Sequence, residues 1–290
     1  MTTTDFPPTL WIYGMKRSTR FVLLACCLLS AASVIASEQT ELTTSDADRA
    51  ANGNLQRVLV FSATGWYRHP EIPASNGWLT RLGAEHGIQV DVTETPNDVA
   101  AERLSHYQVL VLNNANDLSK VLSEAQRDAI KQWYEHGGGI VGLHAALVHQ
   151  EGWPWFLDLA GCDFNSDSDF VRARVVVDPA VKDDPLVRGQ GADFWYTADW
   201  HNHTKSVTGL PGVRVLLRLD ESTFEPVREA FKALDGKPMG PDHPMTWTRE
   251  FDGGRFFYTE LGHDLRSLDT PFGRQLVLGG LRWTAAEKKK

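Results

Sequence analysis

Through the first half of the chain, apolar residues fall in short, almost unbroken runs. Residues 57–62, 107–112 and 140–143 are rich in Val, Leu, Ile and Phe with little polar alternation. Such runs are expected of strands buried on both faces, as in a parallel sheet. Residues 89–95 alternate apolar and polar and predict another strand. Helical spacing lies between them. Residues 72–86 carry Leu79 and Leu82 on one face and stop at Gly87. Residues 123–136 open on Ser123 with Gln126 three positions on, a capping box, and stop at Gly137. The order strand, helix, strand, strand, helix, strand predicts a doubly wound α/β sheet.

Beyond Gly161 the pattern changes. Residues 172–177, 213–219, 245–251 and 255–261 read as strands, with Asp252-Gly253-Gly254 as a hairpin turn. Residues 272–283 predict a closing amphipathic helix, and Lys288-Lys289-Lys290 a solvated tail. No repeat or proline-rich linker interrupts this order, so one domain is expected over residues 56–285.

The start of the chain reads differently. Lys16, Arg17 and Arg20 precede an apolar run over residues 21–32, with small residues leading to Ala36. The run is too short to span a bilayer. It predicts a signal peptide over residues 1–36, with Met15 as an alternative start, and a polar lead-in over 37–55. A periplasmic or secreted location follows, without stable membrane insertion. Leu23-Leu24-Ala25-Cys26 mimics a lipobox, but its apolar stretch is short for one. Cys26 and Cys27 would leave with the signal, and Cys162 remains as a small hydrophobe. The 290 residues are 42% hydrophobic and 23% charged, an ordinary globular balance, and the formal charge of -8 argues against a nucleic-acid partner.

Open α/β sheets bind ligands beyond the carboxyl ends of their strands. Polar residues recur there. His69 follows the first strand in Trp66-Tyr67-Arg68-His69-Pro70, Asn113-Asn114 end the third, His144 ends the fourth, and Gly262-His263-Asp264 follow the last. Several of these are expected to line one cleft. Gly142-Leu143-His144-Ala145-Ala146 has the layout of a nucleophile elbow with His in place of Ser. Asp199-Trp200-His201-Asn202-His203 sets an acid and two imidazoles in five residues, either metal ligands or an exposed polar strand. His243 sits between prolines in Gly240-Pro241-Asp242-His243-Pro244, either an aimed side chain or a rigid turn. Trp153-Pro154-Trp155 is either a sugar-stacking platform or packing under a loop. Glu260 and Asp264 stand close enough to His263 to orient it or to act as acid or base.

In their order and spacing these segments resemble the ThuA-like (trehalose utilisation) family. They are 61–70, the glycines before His144-Ala145-Ala146, Trp153-Pro154-Trp155, Asp242-His243-Pro244, Trp247, residues 253–259 and Leu261-Gly262-His263. The resemblance runs from Arg57 to Trp283. It implies a flavodoxin-like, class I glutamine amidotransferase-like α/β sandwich. Its central sheet is mostly parallel, with antiparallel strands added in the C-terminal half. It also implies disaccharide catabolism beside dehydrogenases that make keto sugars. His144 stands where the amidotransferases carry Cys, so glutaminase activity is not expected. Where family members commonly show Asp-Glu-x-Tyr-Asn, this chain has Ala198-Asp199-Trp200-His201-Asn202.

The resulting expectation is an exported carbohydrate-processing enzyme, an isomerase, lyase or hydrolase acting on a disaccharide or keto-glycoside. His144 and His263 are the acid/base candidates, since imidazole titrates near operating pH, and Asp199 is their carboxylate partner. His69, Asn113, Trp153, Trp155, Asn202, His243 and Trp247 are expected at the substrate. A divalent metal such as zinc, held by some of His144, His201, His243 and His263, is a variant of this chemistry. A sugar dehydrogenase is the expected pathway partner. The alternative is a non-catalytic carbohydrate-binding or interaction module on the same fold.

Overall fold

The computed structural model of the chain describes Gly53 and residues 55–286. The expected signal peptide over 1–36, nearly all of the lead-in and the terminal lysines lie outside the described residues.

Eleven strands are described: β1 (Arg57–Phe61), β2 (Gln89–Thr93), β3 (Val109–Asn113), β4 (Gly139–Leu143), β5 (Phe164–Asp167), β6 (Val171–Val177), β7 (Asp193–Ala198), β8 (His201–His203), β9 (Val213–Asp220), β10 (Pro244–Phe251) and β11 (Gly254–Thr259). Nine of them form one sheet in the order β2-β1-β3-β4-β11-β10-β9-β6-β7, and β5 pairs with β8 in a separate ribbon. From β2 to β11 every pairing is parallel; from β11 to β7 every pairing is antiparallel. The order 2-1-3-4 of the parallel half is the flavodoxin-like winding. This is the α/β sandwich expected, a parallel sheet with antiparallel strands added from the C-terminal half.

The continuous apolar runs are explained by two cores, one on each face. In β1, Val58 and Val60 join one core while Leu59 and Phe61 join the other. Helices α1 (Ile72–Glu85) and α4 (Pro271–Ala285) cover the first face through Trp78, Leu79, Leu82, Leu276 and Leu281. Helices α2 (Glu124–Glu135) and α3 (Pro154–Ala160) cover the second through Ile130, Tyr134, Phe156 and Leu159. Full burial of one such side chain contributes about 1.5–3 kcal/mol. Packing on both faces therefore outweighs the small intrinsic preferences of five-residue strands. Ser123 caps α2 with the reciprocal Gln126 bond that its spacing predicts. The outer strands β6 and β7 alternate buried and more exposed positions, as a sheet with one wetter face requires. Among the described residues no helix is long and apolar enough to cross a membrane.

Strands β5, β7 and β8 and helix α3 are absent from the sequence pattern above, as are the four-residue helices Ala101–Leu104, Leu118–Val121, Glu229–Lys232 and Leu265–Leu268. β5 and β8 are four and three residues long, too short for a period. β7 carries three consecutive aromatics, which blur its alternation. Helix α3 begins at Pro154, the first-turn position where proline is well tolerated, so Trp153-Pro154-Trp155 is a helix start and not a loop.

Asp252 and Gly253 both have positive φ, 43° and 94°, and form the two-residue turn between β10 and β11. A Cβ on Gly253 would lie 2.2 Å from the carbonyl oxygen of Glu135. Gly253→Ala is expected to destabilise the protein by about 1–3 kcal/mol, read as a lower urea midpoint at unchanged slope.

Candidate active site

Five side chains converge at the carboxyl rim of the parallel half. His144 follows β4 directly, with φ of +49°, a left-handed conformation that is uncommon for a non-glycine residue. The sharp turn lifts its ring out of the sheet, as an elbow nucleophile would be lifted. His263 arrives from β11 through Gly262, whose φ is +138° and whose missing Cβ would lie 3.3 Å from Cβ of His144. A side chain at 262 would push the two imidazoles apart. Asn114, at the end of β3, donates to the Gly262 carbonyl at 3.2 Å and ties that loop down. His69 comes from the loop after β1, and its ring lies 5.1 Å from those of both His144 and His263. Asp199 and His201 come from the antiparallel half. The β5–β8 ribbon sets His201 opposite Asp167 and brings its ring within 4.1 Å of His144.

Three of these groups touch. His263 Nδ1 lies 2.9 Å from Asp199 Oδ2 and 3.1 Å from His144 Nε2, and His144 Nε2 lies 3.6 Å from the same carboxylate oxygen. His144 Nδ1 faces the Glu260 carbonyl oxygen at 3.2 Å. A carbonyl only accepts, so Nδ1 carries the proton and Nε2 presents its lone pair. Burial pushes the His144 imidazole down to about 4, against the pull of Asp199. Burial, with His144 and His263 alongside, pushes His69 down to about 3, and burial holds His201 well below the usual range. Burial also acts against the charged form of His263, but its bond to Asp199 outweighs that and raises its pKa. Burial would raise the Asp199 carboxyl, yet His144 and His263 lower it overall. Imidazoles held toward the neutral form thus lie beside one, His263, whose charged form is favoured.

Above them opens a cavity of about 170 Å³. Trp66 and Tyr67 stand half exposed at its mouth (52% and 50%), held by Asn116, which accepts from Trp66 N–H and donates to the Tyr67 carbonyl. Phe164, Asp167, Arg228 and Phe231 complete the wall, with Asp167 and Arg228 paired. Of the candidates from sequence, His69, His144, His201 and His263 line this cavity, and Asp199 joins them by its bond to His263.

The other candidates lie elsewhere. Trp153 is buried and stacks on Phe156, while Trp155 donates to Asp252 at the far end of β11. Neither is a platform at the cavity, because α3 carries both into the second core. Trp247 is fully buried against Tyr258. Asn113 donates to Ser75 and Asn76 at the start of α1, and Asn202 donates to Ser166 and the Pro226 carbonyl. His243 is buried behind the wall, between Glu221 and the His201 carbonyl, so it cannot share a ligand with His144. Asp264 caps the turn after His263 and pairs with Arg266 instead of orienting His263. Trp66, Tyr67, Phe164, Asp167, Arg228 and Phe231 were not singled out from sequence. Only the two exposed aromatics next to His69 offered a signal.

Among the described residues, donor atoms lie within 4.8 Å of one another in His69, His144 and His263 and in His144, Asp199 and His201, and the contact of His144, His263 and Asp199 is a further set; each could hold a metal.

The ThuA (trehalose utilisation) family profile matches residues 57–284. Among solved structures, the fold is similar to a ThuA-like protein from Bacteroides uniformis ATCC 8492, with a TM-score of 0.65 and 23% identity over 79% of this chain and 91% of that one. It is also similar to a ThuA-like protein from Parabacteroides merdae ATCC 43184, with a TM-score of 0.59 and 18% identity over 80% and 90% of the two chains. No curated protein matches the sequence.

The support behind the site titrates. Burial acts against a charged His243, but Glu221 and Glu260 outweigh it and raise its pKa to about 9. A raised imidazole stabilises the fold fully below its unfolded pKa near 6.5, and the contribution is lost as pH rises through about 9. The unfolding free energy is expected to fall over that window by at most about 3 kcal/mol from this group. In His243→Gln the fall is expected to flatten, as urea titrations from pH 6 to 9.5 would read.

Proposed function

Because the chain belongs to the ThuA (trehalose utilisation) family, we propose that it is an exported carbohydrate-processing enzyme that acts on a disaccharide or keto-glycoside by His/Asp acid–base chemistry. The observation that carries this reading is the contact of His144 Nε2, His263 Nδ1 and Asp199 Oδ2 within 2.9–3.6 Å of one another, under a cavity at the strand ends. Environments that drive two neighbouring groups apart in pKa supply a base and an acid together. His144, neutral with its lone pair on Nε2, takes a proton from the carbon beside a keto group. His263, charged and oriented by Asp199, gives a proton to the carbonyl oxygen, and the enediol so formed goes on to isomerised or cleaved product. The cavity is of the size of one sugar ring, well below the roughly 300–1,000 Å³ of sites for larger ligands. The second unit of a disaccharide would rest on Trp66 and Tyr67 at the mouth. A dehydrogenase that oxidises a sugar hydroxyl would supply the keto substrate. Export is supported by the basic residues and apolar run before Ala36.

One observation favours a second reading, in which His144, His263 and Asp199 hold a divalent ion such as zinc. A tetrahedral ion with bonds of 2.0–2.1 Å sets its ligand atoms about 3.3 Å apart, close to the three separations above. In addition, His69 Nδ1, His201 Nδ1 and Asp199 Oδ1 are buried without a hydrogen-bond partner. Bound there, the ion would polarise the keto oxygen. Elemental analysis of purified protein decides: a metal-free preparation with full turnover ends this reading.

The mature protein incubated with disaccharides and their 3-keto derivatives, with products read by mass spectrometry, identifies the reaction. His144→Ala is expected to lower turnover by about 100-fold or more while sugar binding, measured by calorimetry, is kept. Unchanged turnover removes His144 from the mechanism, and binding without turnover in the parent protein favours the non-catalytic module. Trp66→Ala is expected to raise KM by about fivefold to tenfold with kcat little changed.

A further inference from the structure

We propose that Glu260 and His243 are positioning residues, a buried pair that fixes His201 and His144 from behind the cavity wall. Both are fully buried, and neither lines the cavity. A carboxylate removed from water costs several kcal/mol unless it is paired and hydrogen-bonded. Glu260 meets that need with two residues of β8 and with His243. Its Oε2 accepts the His201 main-chain N–H at 3.3 Å, and its Oε1 lies 3.1 Å from His203 Nε2 and 3.8 Å from His243 Nε2. His243 holds the other side of the same residue. Its Nε2 donates to the His201 carbonyl at 2.8 Å, and its Nδ1 faces Glu221 Oε1 at 2.7 Å. Both main-chain groups of His201 are therefore held by side chains.

The same residue sets His144. The Glu260 carbonyl accepts a hydrogen bond from the Nδ1–H of His144, which leaves the lone pair on Nε2, facing His263 and Asp199. The side chain of Glu260 thus places His201, and its main chain chooses the tautomer of His144, whose ring is 4.1 Å away. β8 is only three residues long and pairs irregularly with β5, so the ribbon alone would leave His201 poorly fixed. The Glu221 carboxylate also accepts the main-chain N–H groups of Met239 and Gly240, which anchors the segment that carries His243. The sequence shows none of this, because Glu221, Glu260 and His243 lie in three separate segments.

The inference rests on the proposed reading of His144 as a reacting group for its catalytic consequence, but its structural part can be read without substrate. Nitrogen-15 imidazole spectra of the parent protein at pH 7.5 are expected to show His144 as a single tautomer with the proton on Nδ1. In Glu260→Gln and in His243→Gln the His201 signals are expected to move and those of the neighbouring His144 to shift with them, while the His144 proton stays on Nδ1 because the Glu260 main-chain carbonyl is kept. On whichever substrate the panel identifies, kcat is expected to fall about tenfold with KM within twofold, and Glu260→Asp to recover part of it. Glu221 is partly exposed, so Glu221→Gln keeps the test open if the two buried variants do not fold; it is expected to move the same signals less. His144 and His201 signals that stay in place in a folded variant overturn the proposal. Moved signals with unchanged kcat leave the clamp standing and strike the assignment of His144 as a reacting group.

Discussion

A strand buried on both faces has nowhere to present chemistry except its ends. That constraint governs this protein. Strands β1, β3, β4 and β11 lie between two apolar cores, so a charged side chain at a central position would be stranded without water. The chain accordingly confines its reactive polar residues to the loops that leave the carboxyl ends, where His69, Asn114, His144 and His263 meet. The parallel winding stacks those ends on one rim. Consecutive parallel strands become a site without any local motif, because register alone brings their ends together: Leu143 pairs with Asn113 on one side and with Thr259 on the other.

Crowded imidazoles set the second constraint. Four rings, three of them within about 5 Å of His144, cannot all be charged in a buried pocket, since each proton opposes the next. The outcome is a division of states. Rings without a carboxylate partner, His69 and His201, stay neutral, and His263 gains charge from Asp199. The same division suits either a proton-transfer pair or a set of neutral ligands. The separation between those chemistries therefore lies in composition, in whether an ion accompanies the protein, and not in the arrangement of the side chains.

The fold was legible in the sequence to the extent that packing was local in pattern. The double burial of β1, β3 and β4 wrote itself as apolar runs, and the start of α2 as Ser123 and Gln126. The rim histidines were legible because a strand's end is a position in sequence as well as in space. Two kinds of residue were not. Trp153 and Trp155 were ambiguous because an aromatic pair around a proline reads alike as a platform or as a helix start, and the choice depends on what lies beneath, here Tyr134 and Phe156. His243 gave no sign of facing inward, because the partners that bury it, Glu221 and the His201 carbonyl, are 22 and 42 residues away.

The antiparallel half explains why a site at the rim of a parallel sheet needs so much more chain. β11 is the seam: it pairs parallel with β4 and antiparallel with β10, so its carboxyl end lies beside the start of β10. His263 and Glu260 leave one strand of that seam, and His243 enters the other. The strands beyond it carry Asp199 and His201 back over the rim on the turn after β7 and the short ribbon with β5. The parallel half on its own supplies His69, His144 and His263, three imidazoles with no acid between them. The carboxylate that divides their charge states, and the buried pair that holds His201, both depend on strands added after Gly161. An α/β sheet of this winding offers a place for chemistry, and the added strands supply the charge that makes its histidines unequal.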